Sequence, residues 1–391
     1  MTEHTKEATR NRAVLVGLNA HSLSREDNAS ETSLEELAAL VETAGGTCVG
    51  SLLQNRDAPE ARTFIGEGKV AEVTQLVQAQ EADLVVFDNE LSPSQQRVLT
   101  EEMGVQVIDR AGLILDIFAQ RARTKEGRLQ VELAQYKYLL PRLTGMWGHL
   151  VRQTASGGKS PIGTRGPGET QLETDRRHIR RKIAKLTEDL QEVRRIRAVQ
   201  RDRREKNEVP VVAIVGYTNA GKSTLLNNLT RSEVLAENKL FATLDPTTRR
   251  LRFPAEREII LADTVGFIRN LPKELMDAFR ATLEELESAD LLVHVADASH
   301  PDLLQQITSV ETILEELELQ HMPRILLLNK WDLLDVPARA ELADAFPHAI
   351  PVSARTGDGL KRLLEVLENM LLSTQQSQLL IPFEEDGPVL Q

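Results

Sequence analysis

The run Gly216, Tyr217, Thr218, Asn219, Ala220, Gly221, Lys222, Ser223 and Thr224 fits the spacing G-x-x-x-x-G-K-[ST]. That spacing is suited to holding phosphate. VPVVAIVG precedes it, an apolar β-branched strand, and STLLNNLT begins a helix after it. A strand, tight loop and helix in that order aim backbone N–H groups and a helix N-terminus at an anion. Lys222 is then placed to reach the terminal phosphates. The hydroxyl of Ser223 is placed to ligate magnesium.

Four further motifs follow in order. Phe241-Ala242-Thr243-Leu244-Asp245, continued by Pro246, Thr247 and Thr248, lies where a switch loop belongs. Its threonines are candidates to complete magnesium coordination when a γ-phosphate is present. The strand IILAD ends in Asp263-Thr264-Val265-Gly266. A carboxylate there holds magnesium through water, and the Gly266 N–H can sense the γ-phosphate. The strand RILLLN ends in Asn329-Lys330-Trp331-Asp332. The Asp332 carboxylate can accept both the ring N–H and the exocyclic amine of guanine, a paired fit adenine lacks. Ser353-Ala354-Arg355 follows another short strand, where backbone can touch the guanine oxygen. Together these select GTP over ATP and place the ligand at strand carboxyl ends.

Two positions bear on hydrolysis. Many GTPases carry a water-orienting glutamine after D-x-x-G. Here the residue is Phe267, which cannot hydrogen-bond, so slow intrinsic turnover is expected, with a partner or an ion completing the site. Asn219 either shapes the loop or lends an amide oxygen to a monovalent cation near the phosphates, where other systems put an arginine. Potassium is the candidate ion and should speed turnover. Equal rates in potassium and sodium would remove the idea. Lys222, Asn219, Thr243 and Gly266 are the candidate catalytic groups.

These motifs need a sheet to hold them, and the alternation of strand and helix over 208–373 supplies one, with helices on its faces. A smaller alternation fills 1–112. AVLVGLN, TCVGSLLQ, DLVVFD and VQVID read as strands, separated by helical runs such as SLEELAALVETAGG. FIGEGK, Phe64 to Lys69, precedes a helix and reads as a turn or, as the minor alternative, a second anion cradle. Between them, 113–207 reads as two long helices, Leu113 to about Leu140 and Glu169 to about Asn207, forming an antiparallel hairpin. The glycine-rich loop Ser156–Glu169 joins them. Leu172, Ile179, Ile183, Leu186, Leu190 and Val193 make an apolar stripe on the second helix. Its other faces are basic, among them Arg177, Arg180, Arg181 and Lys185. They read either as solvated surface or as RNA phosphate contacts, with Lys159 and Arg165 at the loop. Tyr136, Tyr138 and Trp147 are candidates to stack on bases or to pack between helices. The segment 374–391 begins a strand-like run, either a tail or the start of a further small domain.

Composition sets outer limits. The chain has 391 residues, enough for two or three domains. Its single cysteine, Cys48, rules out a disulfide framework and suits a reducing compartment. With no secretory leader and no long apolar run, a cytoplasmic protein is expected. The net charge of −12 argues against indiscriminate nucleic-acid binding by the whole surface.

The chain resembles the HflX family of translational GTPases. The motifs that carry the resemblance are RGPGETQLETDRR (Arg165 to Arg177), LILDIFAQRA (Leu113 to Ala122), GYTNAGKST, FATLD and DTVGF. It implies an α/β protein built from a small parallel N-terminal domain, a long antiparallel helical hairpin, and a P-loop GTPase domain with a mostly parallel sheet. It implies a GTPase that binds the large ribosomal subunit and helps split ribosomes stalled by stress, with the hairpin approaching ribosomal RNA. Thr243 is singled out by the resemblance as the second magnesium ligand beside Ser223, and a hydrophobic residue in the place of the glutamine is a family trait. The loop SGGKSPIGTRGPGE looks longer than the compact form in many members. A monomer is expected. Two rival readings are an RNA-binding chaperone with a regulatory GTPase, and a GTP-dependent regulator of protein contacts loosely associated with a membrane.

Overall fold

The structure is a computed structural model that describes residues 11–24, 27–122, 124–154, 167–205, 209–230, 241, 247–252, 258–264, 266–269, 276, 286 and 289–379. It is a mixed α/β protein with two sheets. By contact it divides into two compact units. The first takes in the described residues up to 202 together with Phe241, Ile268, Arg269 and Met276, and the second takes in the rest.

The first unit has a four-stranded parallel sheet in the order β2-β1-β3-β4, from β1 (Arg12–Ala20), β2 (Thr47–Arg56), β3 (Leu84–Phe87) and β4 (Gln106–Asp109). Its central strand β1 is an almost continuous apolar run, as expected where helices cover both faces. The helices α1 (Glu31–Thr43), α2 (Glu67–Ala79) and α3 (Pro93–Met103) start at local signals. Ser30 caps α1 reciprocally with Ser33, and Ser92 caps α3 reciprocally with Gln95. Gly104, at φ 71, ends α3 in the left-handed region that glycine tolerates. At FIGEGK, Gly66 precedes α2, its N–H donates to Gln54 Oε1, and Arg56 lies against its Cα.

The sequence predicts one helix from Leu113 to Leu140; there are two. Helix α4 (Arg110–Arg121) stops at Ala122, whose backbone is extended, and α5 (Lys125–Thr154) begins behind Thr124. The Thr124 hydroxyl accepts the Gly127 N–H at 3.0 Å, an N-cap contact that starts a fresh helix. The segment up to Gln153, expected to be looser, is helical and carries Pro141 inside α5. Helix α6 (Pro167–Glu205) shares a seam with α5 in which Leu133, Leu186 and Leu190 are buried, with Leu129, Tyr136 and Ile183 packed beside them. The joining loop, including Lys159 and Arg165, lies outside the described residues.

Tyr138 is not available to stack on a base. It is buried, it donates to Asp109 Oδ1 at 2.8 Å, and the Arg142 guanidinium covers its ring at 3.6 Å. Tyr136 is half-buried under Lys182, whose Nζ donates to its hydroxyl at 2.6 Å. The Trp147 side chain lies outside what is described. The strand ends of this sheet are locked by charge. Arg110, 2% exposed, pairs with Asp88 at 2.6 Å and with Glu36. A buried pair of this kind fixes geometry more than it adds net stability.

The second unit has a six-stranded sheet in the order β10-β9-β8-β5-β7-β6. Its strands are β5 (Val211–Gly216), β6 (Thr247–Arg252), β7 (Glu258–Asp263), β8 (Leu291–Asp297), β9 (Arg324–Asn329) and β10 (Ile350–Pro351). All pairings are parallel except that of the edge strand β6 with β7. Among the described residues its helices are α7 (Lys222–Thr230), α8 (Leu303–Glu316), α9 (Val336–Ala345) and α10 (Leu360–Leu379). Leu360, Leu363, Leu367 and Leu371 recur at helical spacing and are buried against the sheet. Helix α10 runs through Leu379, so the strand expected to begin near Gln376 is helix instead, and 380–391 lie outside the described residues. Strand order reverses beside β5, whose neighbours are β7 and β8. A ligand in an open α/β sheet sits at such a reversal.

Candidate functional site

The loop after β5 is shaped by two glycines that no other residue replaces. Gly216 has φ 151, and a Cβ there would lie 2.2 Å from Val295 O. Gly221 has φ 99, and a Cβ there would lie 2.2 Å from Asn329 Nδ2. Asn219 stands between them, exposed, at φ 63, a conformation asparagine adopts more readily than most residues. Lys222 is buried at the start of α7. Its Nζ donates to Gly216 O at 3.0 Å and to Tyr217 O at 2.8 Å, so the lysine is folded back over the loop. Burial lowers its pKa to about 8, and the nearby Asp263 opposes the shift.

Asp263 ends β7 and reaches the loop's helix. Ser223 Oγ donates to Asp263 Oδ2 at 2.8 Å. A hydroxyl and a carboxylate side by side are hard oxygen donors that suit magnesium, an ion that keeps several waters and takes few protein ligands. No cluster of three acidic, histidine or cysteine side chains fit to hold a metal occurs among the described residues. Thr264 turns away, its hydroxyl donating to Ile214 O at 2.7 Å within the sheet. Gly266 touches the loop. Phe267 is buried, and its backbone pairs with the loop on both sides: its N–H donates to Gly216 O at 3.0 Å, and its C=O accepts the Thr218 N–H at 2.7 Å. Ala242, Thr243, Leu244, Asp245 and Val265 lie outside the described residues.

The other two motifs close on the same loop. Asn329 is buried, and both ends of its amide are engaged: Nδ2 donates to Ala220 O at 2.7 Å, and Oδ1 accepts the Ala354 N–H at 2.8 Å. It therefore ties the phosphate loop to Ser353-Ala354-Arg355. Two hydrogen bonds of that kind contribute roughly 1 kcal/mol each. Lys330, at φ 60, donates to Asp297 Oδ2 at 2.6 Å, and Trp331 N–H donates to Val352 O at 3.1 Å. Asp332 sits half-exposed in a short 3-10 turn. Ser353 and Ala354 are buried, Arg355 is exposed, and Asn228 Nδ2 holds Ala354 O at 3.1 Å. Thr224 is half-buried on α7. Sequence reasoning did not single out Asp297, although an acidic residue closing LLVHVAD was the available sign. Nor did it see the two ends of Asn329.

The sequence matches three family models in succession: a GTP-binding GTPase N-terminal region over residues 31–119, a GTP-binding GTPase middle region over 121–204, and a 50S ribosome-binding GTPase over 211–330. It is 50% identical over 375 residues to GTPase HflX of Caldanaerobacter subterraneus subsp. tengcongensis, spanning 96% of this chain and 84% of that protein. The chain belongs to the HflX GTPase family. GTPase HflX of Escherichia coli is 46% identical over 355 residues, 90% of this chain and 82% of that protein. Among solved structures, a GTP-binding protein of Sulfolobus solfataricus in complex with GDP is 26% identical, with a TM-score of 0.47 and coverage of 93% of this chain and 99% of that one. As an HflX GTPase the chain is a GTP-hydrolysing enzyme. No helix among the described residues is long and apolar enough to cross a membrane.

Proposed function

We propose that this GTPase binds the large ribosomal subunit in its GTP form and helps part the subunits of stalled ribosomes. The match of 211–330 to a 50S ribosome-binding GTPase carries the reading. Helix α6 supports it, since Arg177, Arg180, Arg181 and Lys185 are exposed on a chain whose net charge is negative. A local basic face on an acidic protein suits selective contact with phosphate backbone.

In this reading Lys222 neutralises charge on the terminal phosphates. Ser223 and Thr243, with Asp263 through water, would hold magnesium, which would stabilise the charge developing on the phosphates. Asp332 reads guanine, with the backbone of Ser353, Ala354 and Arg355 beside it. Asn219 contributes the shape of the loop through its left-handed backbone, and its amide oxygen is the candidate ligand for potassium. The γ-phosphate orders the segments around Thr243 and Gly266, and hydrolysis releases them.

The binding energy that separates the subunits comes from RNA and protein contacts, with hydrolysis resetting the factor. The test runs stalled ribosomes on a gradient after incubation with GTP, a non-hydrolysable analogue or GDP. GTP and the analogue should both release subunits with the protein bound to the large one, and GDP should not. Release with GTP alone would reverse the order of events, and no association in any state would sink the reading. Turnover stimulated equally by free structured RNA would favour the chaperone alternative, and turnover indifferent to ribosomes would favour the membrane-associated regulator.

A further inference from the structure

The phosphate-loop pattern asks nothing of position 218. The chain places a threonine there that is 6% exposed, with its Oγ1 sealed from solvent and without a hydrogen-bond partner among the described residues. Valine would fill the same space without burying an orphaned hydroxyl, which costs stability. The hydroxyl therefore calls for a partner from outside the chain. Its surroundings say which. A Cβ built on Gly266 would fall 2.9 Å from Thr218 Cγ2, 3.0 Å from Thr218 Cα and 2.9 Å from Lys222 Nζ. The carbon that carries both Cγ2 and Oγ1 thus stands beside the glycine of D-x-x-G and the phosphate-loop lysine. The backbone of Phe267 clamps it there through the Thr218 N–H, while the buried Phe267 ring offers no hydrogen bond.

We propose that the Thr218 hydroxyl holds the water that attacks the γ-phosphate, the task a glutamine performs from the neighbouring motif in many GTPases. This rests on the GTPase reading of the same site. In the step, the water oxygen bonds to the γ-phosphorus as the bond from that phosphorus to the β–γ bridging oxygen breaks. GDP leaves with the bond's electrons, and both protons of the water end on inorganic phosphate. Thr218 accepts a hydrogen bond from the water and takes up no proton. Oriented reactants of this kind lower the barrier by removing the search for alignment.

Thr218→Val keeps the shape and removes the hydroxyl; Thr218→Ser keeps the hydroxyl and trims the shape. With GTP, the valine variant should lose about 10- to 100-fold in kcat with little change in KM. Its affinity for GDP and for a non-hydrolysable GTP analogue should match the parent's, and the serine variant should recover most of the rate. A packing role predicts the reverse, valine harmless and serine harmful, and would overturn the proposal. So would a valine variant that binds the analogue weakly but turns over at the parent's kcat, since the hydroxyl would then grip phosphate. A parent without GTP turnover would instead count against the GTPase reading itself.

Discussion

Lys222 is a cation held where water cannot reach it. Burial brings its pKa down to about 8 despite Asp263, so in the free protein the neutral amine accumulates above that pH. Nucleotide phosphates are anions and favour the charged form, which raises the pKa on binding. The sign follows: below about pH 8 the lysine is already charged and affinity is flat, and above it binding must take up a proton and weakens by up to about tenfold per pH unit. Titration calorimetry with GDP at about pH 9, where the phosphates are fully ionised, should show a heat that varies with the ionisation enthalpy of the buffer. The slope should approach one proton taken up. A heat identical in all buffers would mean that Lys222 stays charged in the free protein.

At the scale of elements, the strand–loop–helix around Lys222 was legible because each part carries its own local signal. β5 is an apolar run, Gly216 and Gly221 are the only residues that fit their close approaches, and α7 follows at once. The motifs after β7, β9 and β10 were legible for the same reason, each following a strand of the sheet. What stayed hidden depends on contacts across sequence. Asn329 reads as a guanine-facing residue, yet its amide bridges two loops that lie 109 and 25 residues away. Thr264 reads as part of a nucleotide motif, yet its hydroxyl serves the sheet. Tyr138 reads as a stacking candidate until Asp109 and Arg142 enclose it. The division of α4 from α5 did leave a local trace, the cap at Thr124. Periodicity reports which face is apolar; it does not report where one helix yields to the next.

The whole molecule shows one thread that no local pattern contains. Phe241 belongs in sequence to the nucleotide domain, two residues before Thr243, but in space it belongs to the first unit. Its ring is buried, with its centroid 4.6 Å from that of Phe118 on α4, and its carbonyl accepts Arg121 Nη1 at 2.8 Å. Arg269, two residues after Phe267, likewise donates to Asn28 O at 2.6 Å within the first unit. Segments flanking both switch motifs are therefore anchored in the unit that carries the basic helix α6. If the γ-phosphate reorders Thr243, the pull reaches Phe241 through two peptide bonds and α4 through an aromatic contact. Coupling between sites of this sort is typically worth about 1–3 kcal/mol, or roughly 5- to 150-fold in affinity. Phe118→Leu keeps an apolar side chain and removes the ring pair. It should leave GDP affinity intact while narrowing, several-fold, the ratio of large-subunit affinities measured with a GTP analogue and with GDP. A ratio equal to the parent's, in a variant that melts at the parent's temperature, would show that the nucleotide's signal does not travel through Phe118.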